Sequence, residues 1–228
     1  MSKKHFIDPL DPDPVLIHQA VHRLDQGGLV VIPTRHLYGL GVDALNARAV
    51  ERVYATKRRP MNRPLLILVT SPDEVGIYAK DINAQAAALM HAFWPGKLTI
   101  ILQAQSVLPE VLTGGTGRVG IRLVEHPVTR CLVRSLGRPI TATSANLSGQ
   151  PGCRRTEDLQ PAILAASDLV LDAGPLEPGL GSTVVDVQPN IVQVLREGSL
   201  SVEDIRNAVD CSVTESQTAS SIDRAQTP

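Results

Sequence analysis

Four cations fall within seven residues at Lys57-Arg58-Arg59-Pro60-Met61-Asn62-Arg63, and Pro60 and Pro64 restrict the loop that carries them. Such a cluster repels itself unless an anion or water lies among its members. Arginine suits bidentate contact with phosphate or carboxylate, and lysine acts as a mobile point charge. A solvated charge run is the alternative, made less attractive by the prolines beside the apolar run Leu65–Val69. Three further segments are richer in glycine and polar groups than their neighbours require. Pro33–Gly41, PTRHLYGLG, offers two glycines for close backbone approach and two hydroxyls, or is an ordinary strand-to-helix loop. Thr141–Gly149, TATSANLSG, can present hydroxyls and an amide to a nucleotide, or is a Ser/Asn turn. The last is distributed over Gly120-Ile121-Arg122, Gly181–Asp186 and Leu195–Gly198, each bringing an arginine or hydroxyl to a predicted strand end. In open α/β sheets ligands bind outside the carboxyl ends of strands, so these junctions are the places to search. The GGTG at Gly114–Gly117 lacks the spacing of a phosphate loop and is expected to be a turn or mobile flap.

The elements that must position these groups alternate in the first part of the chain. Asp13 as N-cap and Pro14 predict a helix that Gly27 and Gly28 end, followed by the apolar strand GLVVIP. Asn46 caps a helix to about Lys57, and strand Leu65–Val69 leads into a capping box at Ser71-Pro72-Asp73-Glu74. A helix follows over Asn83–Trp94, then strands at Lys97–Gln103 and Arg118–Val124, a helix at Pro127–Leu136 and a strand at Pro139–Thr143. Thr156 is expected to cap a helix through Ala166, with Pro161 as an irregularity. Strands at Asp168–Asp172, Ser182–Val187 and Ile191–Leu195 precede a last helix opened by Ser201. Strands bunched near the end cannot all be joined by helical crossovers, so the pattern implies an α/β fold with a mixed sheet. One domain is expected over residues 13–210, with the polar stretch 213–228 a disordered tail.

Composition narrows the class. The apolar runs fall far short of the ~20 residues that span a bilayer, and the amino terminus has no apolar export segment, so a cytoplasmic protein without membrane contact is expected. Three cysteines without a CxxC pair argue against a disulfide framework. His18 and His22 share a helix face without an acidic or cysteine partner at ligand spacing, so no protein-held metal is expected. With six aromatics in all, single-strand recognition by base stacking is disfavoured. Net charge is −1, yet residues 52–155 hold 14 Lys/Arg against 5 Asp/Glu while the remainder is acidic. Segregation of this kind points to an anionic partner or substrate.

Taken in order, PTRHLYGLG, KRRPMNRP, TSANLSG, GSTVVDV and VLREG resemble the motifs of the YrdC/Sua5 family, the threonylcarbamoyl-AMP synthases, from about Gly28 to Gly198. The resemblance implies a twisted, open mixed α/β sheet flanked by helices, with a concave basic cleft. It implies condensation of L-threonine, bicarbonate and ATP to threonylcarbamoyl-AMP and pyrophosphate, for the t6A37 modification of tRNA by a downstream tRNA threonylcarbamoyl transferase complex. By the same resemblance Lys57 and Arg59 carry catalysis. Lys57, Arg59, Arg63, Arg122, Ser144, Asn146 and Arg196 bind ATP, and Thr34 and Ser182 lie near threonine, where His36 is expected to supply a hydrogen bond in place of a hydroxyl. Mg²⁺ would accompany the triphosphate. The sequence departs from the family pattern at Arg35, commonly acidic, at His36, commonly threonine or alanine, and at Leu68, where some members place a histidine. Two rival functions remain: a non-catalytic double-stranded RNA or tRNA-binding module, and a family paralogue acting on another carbamoyl-adenylate substrate.

Overall fold

A computed structural model describes residues 3–216 of the chain. Its helix starts follow from their caps. Asp13 accepts from the Val15 N–H at 2.8 Å to open α1 (Pro14–Asp25). Asn46 accepts from Ala49 N–H at 3.2 Å for α2 (Ala47–Lys57). A single turn, α3 (Val75–Tyr78), precedes α4 (Ala84–Phe93), capped by Asn83. After the short α5 (Glu110–Thr113), both α6 (Pro127–Leu136) and α7 (Pro161–Ala166) open on proline, whose missing N–H costs nothing there. Ser201 and Asp204 form a reciprocal capping box at α8 (Val202–Asn207).

The strands are β1 (Lys4–Phe6), β2 (Val30–Pro33), β3 (Tyr38–Gly41), β4 (Leu66–Val69), β5 (Ala79–Lys80), β6 (Leu98–Ala104) and β7 (Arg118–Leu123). The remainder are β8 (Ile140–Thr141), β9 (Thr143–Ser144), β10 (Leu169–Asp172), β11 (Thr183–Gln188), β12 (Ile191–Arg196) and β13 (Ser212–Glu215). They form two mixed sheets, ordered β1-β10-β2-β3-β9 and β13-β12-β11-β6-β7-β4-β8, with β5 added beside β6. Only Ala142 separates β8 of the large sheet from β9 of the small one, so a single extended segment joins them.

Period-two alternation distributes the core. Leu29 and Val31 belong to one apolar cluster, and Val30 and Ile32 to a second, so β2 is buried on both faces. The second cluster includes Leu132 and Leu136 of α6 with Ile17 and Leu24 of α1, packed beside β2 and β10. In the large sheet Ile67, Ile100, Ile121 and Val185 point into the first cluster, and each such side chain contributes about 1.5–3 kcal/mol on burial. The opposite face of those strands is what the site uses.

Several expectations are corrected. Tyr38–Gly41 is a buried strand rather than a loop. Tyr38 and Leu40 face the core, while Gly39 fits under Thr143 O, 3.2 Å from where a Cβ would stand. The capping box at Ser71 yields only a 3-10 turn and α3, because Glu74 bonds back to Thr70 and the chain then pairs as β5. Thr156 starts a separate 3-10 turn, and Pro161 opens α7 instead of irregularising it. The expected domain boundaries are too narrow. β1 pairs parallel with β10, and β13 pairs parallel with β12, so Val213–Glu215 are ordered edge residues. Positions 217–228 of the expected tail lie outside the described residues.

The charge segregation is partly resolved in three dimensions. Arg52, Arg118 and Arg138 of the basic segment pair with Asp168, Asp186 and Asp25, all outside it. Those cations are occupied in joining distant segments.

Candidate active site

Leu66, Gly120 and Ile101 are direct cross-strand neighbours on β4, β7 and β6, and Leu68 and Arg122 form the next row. Leu66, Gly120, Ile101, Arg122, Thr99 and Val184 line a cavity of about 390 Å³. The cavity therefore lies over the free face of the large sheet, correcting the expectation of a site outside strand ends. Antiparallel neighbours in a mixed sheet point their carboxyl ends in opposite directions, so no common carboxyl edge exists. Gly120 contributes depth: a Cβ there would stand 3.2 Å from Thr99 Cγ2 and 3.3 Å from Leu66 Cβ. The β2–β3 turn, Thr34–Leu37, and the β8–β9 segment, Ala142–Ser144, close the cavity from the small-sheet side.

Among the described residues four arginines line this space, Arg35, Arg59, Arg122 and Arg196, and no aspartate or glutamate does. Arg122 donates to Ser182 Oγ at 3.3 Å, and Arg196 Nη2 donates to Ser182 O at 2.8 Å, so one residue joins two guanidinium groups. Ser182 Oγ is also 2.8 Å from Thr99 Oγ1. Burial, then Arg196, lowers the pKa of Arg122 to about 10, with Arg35 adding to the effect and Glu125 opposing it. Charges held this way favour an anion between them. Gly198 lets the Arg196 segment approach; a Cβ there would meet Gly181 O at 2.3 Å.

Arg59 is fixed by its own loop, with Nε donating to Arg63 O at 3.2 Å and Nη2 to Pro64 O at 3.0 Å. Burial, followed by the Arg63 charge, lowers its pKa. Lys57, last residue of α2, is 2% exposed. Its ammonium donates to Ser144 O, to Asn146 O at 2.7 Å and to Asn146 Oδ1 at 3.4 Å. Burial and Arg59 lower its pKa to about 8. Asn146 Nδ2 in turn donates to Leu147 O at 2.9 Å and Gln150 O at 2.5 Å.

Of the sequence-predicted residues, Arg59, Arg122, Arg196, Ser144, Thr34, His36 and Ser182 are brought to one cavity. Lys57 and Asn146 stand behind the wall, and Arg63 is exposed, its carbonyl rather than its guanidinium bonded to Arg59. The Thr34 hydroxyl donates to Leu37 O at 2.5 Å and closes its own turn. His36 Nδ1 lies 3.0 Å from Glu177 O, with its ring where a Cβ of Gly179 would stand, so it braces the 174–181 segment. Sequence reasoning missed Gly96 and Thr99, while Thr143 belongs to the segment Thr141–Gly149 already singled out. The polar Thr99 inside the apolar run Leu98–Leu102 was the available signal.

A family model named Sua5_yciO_yrdC and described as telomere recombination matches residues 22–198. The threonylcarbamoyl-AMP synthase of Pyrococcus abyssi is 34% identical over 204 residues, covering 89% of this chain and 60% of its own. That of Bacillus subtilis is 34% identical over 213 residues, 91% of this chain and 61% of its own. The chain thus spans about 60% of the length of these two relatives. The crystal structure of P. abyssi Sua5 complexed with L-threonine superposes with a TM-score of 0.86 at 32% identity, covering 93% of this chain and 62% of that one.

Proposed function

Because the chain belongs to the Sua5–YciO–YrdC family, we propose that it is a threonylcarbamoyl-AMP synthase that condenses L-threonine, bicarbonate and ATP, releasing pyrophosphate. The observation that carries this reading is the cavity wall of four arginines without a carboxylate. Its volume of about 390 Å³ falls within the ~300–1,000 Å³ common for small-molecule sites. The reacting species are all anionic or become so, and their mutual repulsion is the barrier that fixed cations remove.

The threonine ammonium first gives up a proton to solvent; the free amine then attacks bicarbonate carbon, and an N–H proton leaves with a bicarbonate hydroxyl as water, giving a carbamate. A carbamate oxygen then attacks the α-phosphorus of ATP, and pyrophosphate leaves. The amine's protons pass to solvent and to the departing water, so the protein's part in this reading is positioning and charge. Arg122 and Arg196, joined through Ser182, and Arg59 from the loop before β4 hold the phosphates and carbamate in line. Ser144 and the Thr143 region offer hydroxyl and backbone groups to the nucleotide, with Thr34 and Ser182 near threonine. Lys57 and Asn146 set the path of that segment, so their part is positioning. Arg63, exposed beside Arg59, adds to the field that draws a polyanion to the mouth. Mg²⁺ enters with the triphosphate as part of the substrate, since the cavity lining offers guanidinium, hydroxyl and backbone groups but no hard carboxylate set. The product would pass to a tRNA-modifying transferase in the cytoplasm.

Pyrophosphate release from ATP and bicarbonate, measured with each amino acid in turn, tests the reading. Release that requires L-threonine and falls at least 10²-fold in Arg59→Ala is expected. No release with any amino acid, alongside steeply salt-dependent RNA binding, would replace it with the RNA-binding module.

A further inference from the structure

Among the described residues, five side-chain polar atoms are buried without a hydrogen-bond partner: Arg35 Nη1, Arg118 Nε, Glu125 Oε2, His126 Nδ1 and Ser148 Oγ. Three of them belong to one place. Arg35, Glu125 and His126 line a recess of about 10 Å³, room for a single water-sized group. It shares Thr34, Arg35, Gly96 and Arg122 with the main cavity, so the two adjoin. Leu68 and Val124 give it an apolar side. Its other polar residues are engaged elsewhere: Thr34 Oγ1 donates to Leu37 O, Thr129 Oγ1 to Pro33 O, and Arg122 to Ser182. Arg35 Nε comes within 3.3 Å of Glu125 Oε2, yet the approach lacks hydrogen-bond geometry and leaves that oxygen unsatisfied. Buried polar groups left this way are costly, so their clustering marks a place for a ligand atom.

We propose that this recess seats the side-chain hydroxyl of the amino acid substrate, so that Arg35, Glu125 and His126 select a β-hydroxy amino acid. The inference rests on the synthase reading. One hydroxyl meets all three needs. Its oxygen accepts from Arg35 Nη1 and from a protonated His126 Nδ1, and its proton is donated to Glu125 Oε2. The imidazole stays neutral at physiological pH, because burial lowers its pKa to about 4, and it supplies the hydrogen as a tautomer without adding a second positive charge. A side-chain oxygen lies two bonds from the α-carbon, so the amine and carboxylate remain in the main cavity beside Arg122. A methyl group in the same place, as in L-valine, leaves all three atoms without partners.

The test is the ratio of kcat/KM for L-threonine over L-valine in ATP- and bicarbonate-dependent pyrophosphate release. It is measured for the wild type, Arg35→Met, and the double variant Arg35→Met/Glu125→Leu. The wild-type ratio is expected to be about 10² or more, with L-serine ranking beside threonine. In the double variant the ratio is expected to fall at least tenfold, because a methyl no longer faces a charged pair. Should that variant not fold, Arg35→Met carries the same expectation in smaller degree. General damage to the site lowers both rates together and leaves the ratio where it was. Threonine-dependent release with an unchanged ratio in folded variants overturns the recess assignment and leaves the synthase reading standing. Absence of amino-acid-dependent release in the wild type overturns both.

Discussion

The two sides of the cavity treat buried positive charge in opposite ways. At one side the Lys57 ammonium is enclosed by Ser144 O, Asn146 O and Asn146 Oδ1, so its donors are spent on the protein. At the other, the guanidinium of Arg122 meets the like charges of Arg196 and Arg35, with a serine hydroxyl as its hydrogen-bond acceptor. Both cations have lowered pKa values, and burial is the first cause of each. The shift therefore does not distinguish a structural charge from a ligand-facing one; the acceptors around it do. A charge whose acceptors belong to the fold holds a loop, while charges that crowd one another across open space await an anion.

The sharpest way to break this contrast is to remove one cation from each side. Arg122→Met is expected to lower kcat/KM for pyrophosphate release by about 10²–10³-fold while its thermal midpoint stays within a few degrees of wild type. Lys57→Met should act in the reverse order of severity on stability, costing about 2–4 kcal/mol in denaturant unfolding as buried carbonyls lose their donor. If the two variants show the same balance of lost stability and lost turnover, the distinction fails. Gly198→Ala comes next. A Cβ 2.3 Å from Gly181 O must push backbone, moving Ser182 away from Arg196, at a cost of about 1–3 kcal/mol. Its KM for ATP should rise more than that of Lys57→Met.

The effect that is smallest at neutral pH belongs to His126. Burial holds the folded imidazole near 4 against an ordinary 6.5. As pH falls through 6.5 the unfolded chain binds the proton first, so this group's stability is present above that value and lost on the way to 4. His126→Asn should therefore unfold with a shallower loss of stability between these two pH values than wild type. Parallel curves for the two proteins would show that the imidazole is freely protonated in the fold.

Much of the frame was legible in order along the chain. Asp13, Asn46, Asn83 and Ser201 announce their helices because an N-cap is a contact within three residues. Buried β2 and β4 are legible as apolar runs. What escaped are elements defined by distant partners. β1 and β13 are short and half-polar, and become strands only because β10 and β12 offer free edges. β3 was hidden by Gly39 and Gly41, which discourage a strand locally but let β2, β9 and Ile140 close around it. Among site residues, Arg59, Arg122, Arg196 and Ser182 stood out by type and context. Glu125 and His126 did not, since a carboxylate and an imidazole before a helix read as an ordinary surface turn.

The order of motifs by itself determined the family and the classes of group available: guanidinium, hydroxyl, amide and glycine. Tertiary structure alone decided which of them share a space. Arg59, Arg122 and Arg196 converge because β4, β7, β6, β11 and β12 are laid side by side, and their alternation turns one face toward the core and the other toward the cavity. It also decided that Lys57, one position from Arg58 and two from Arg59, faces inward. α2 buries its last turn before the αL residue Arg58 redirects the chain, and neighbouring cations then part to opposite fates. Periodicity is a local property of a chain. Which face finds a partner depends on every other element.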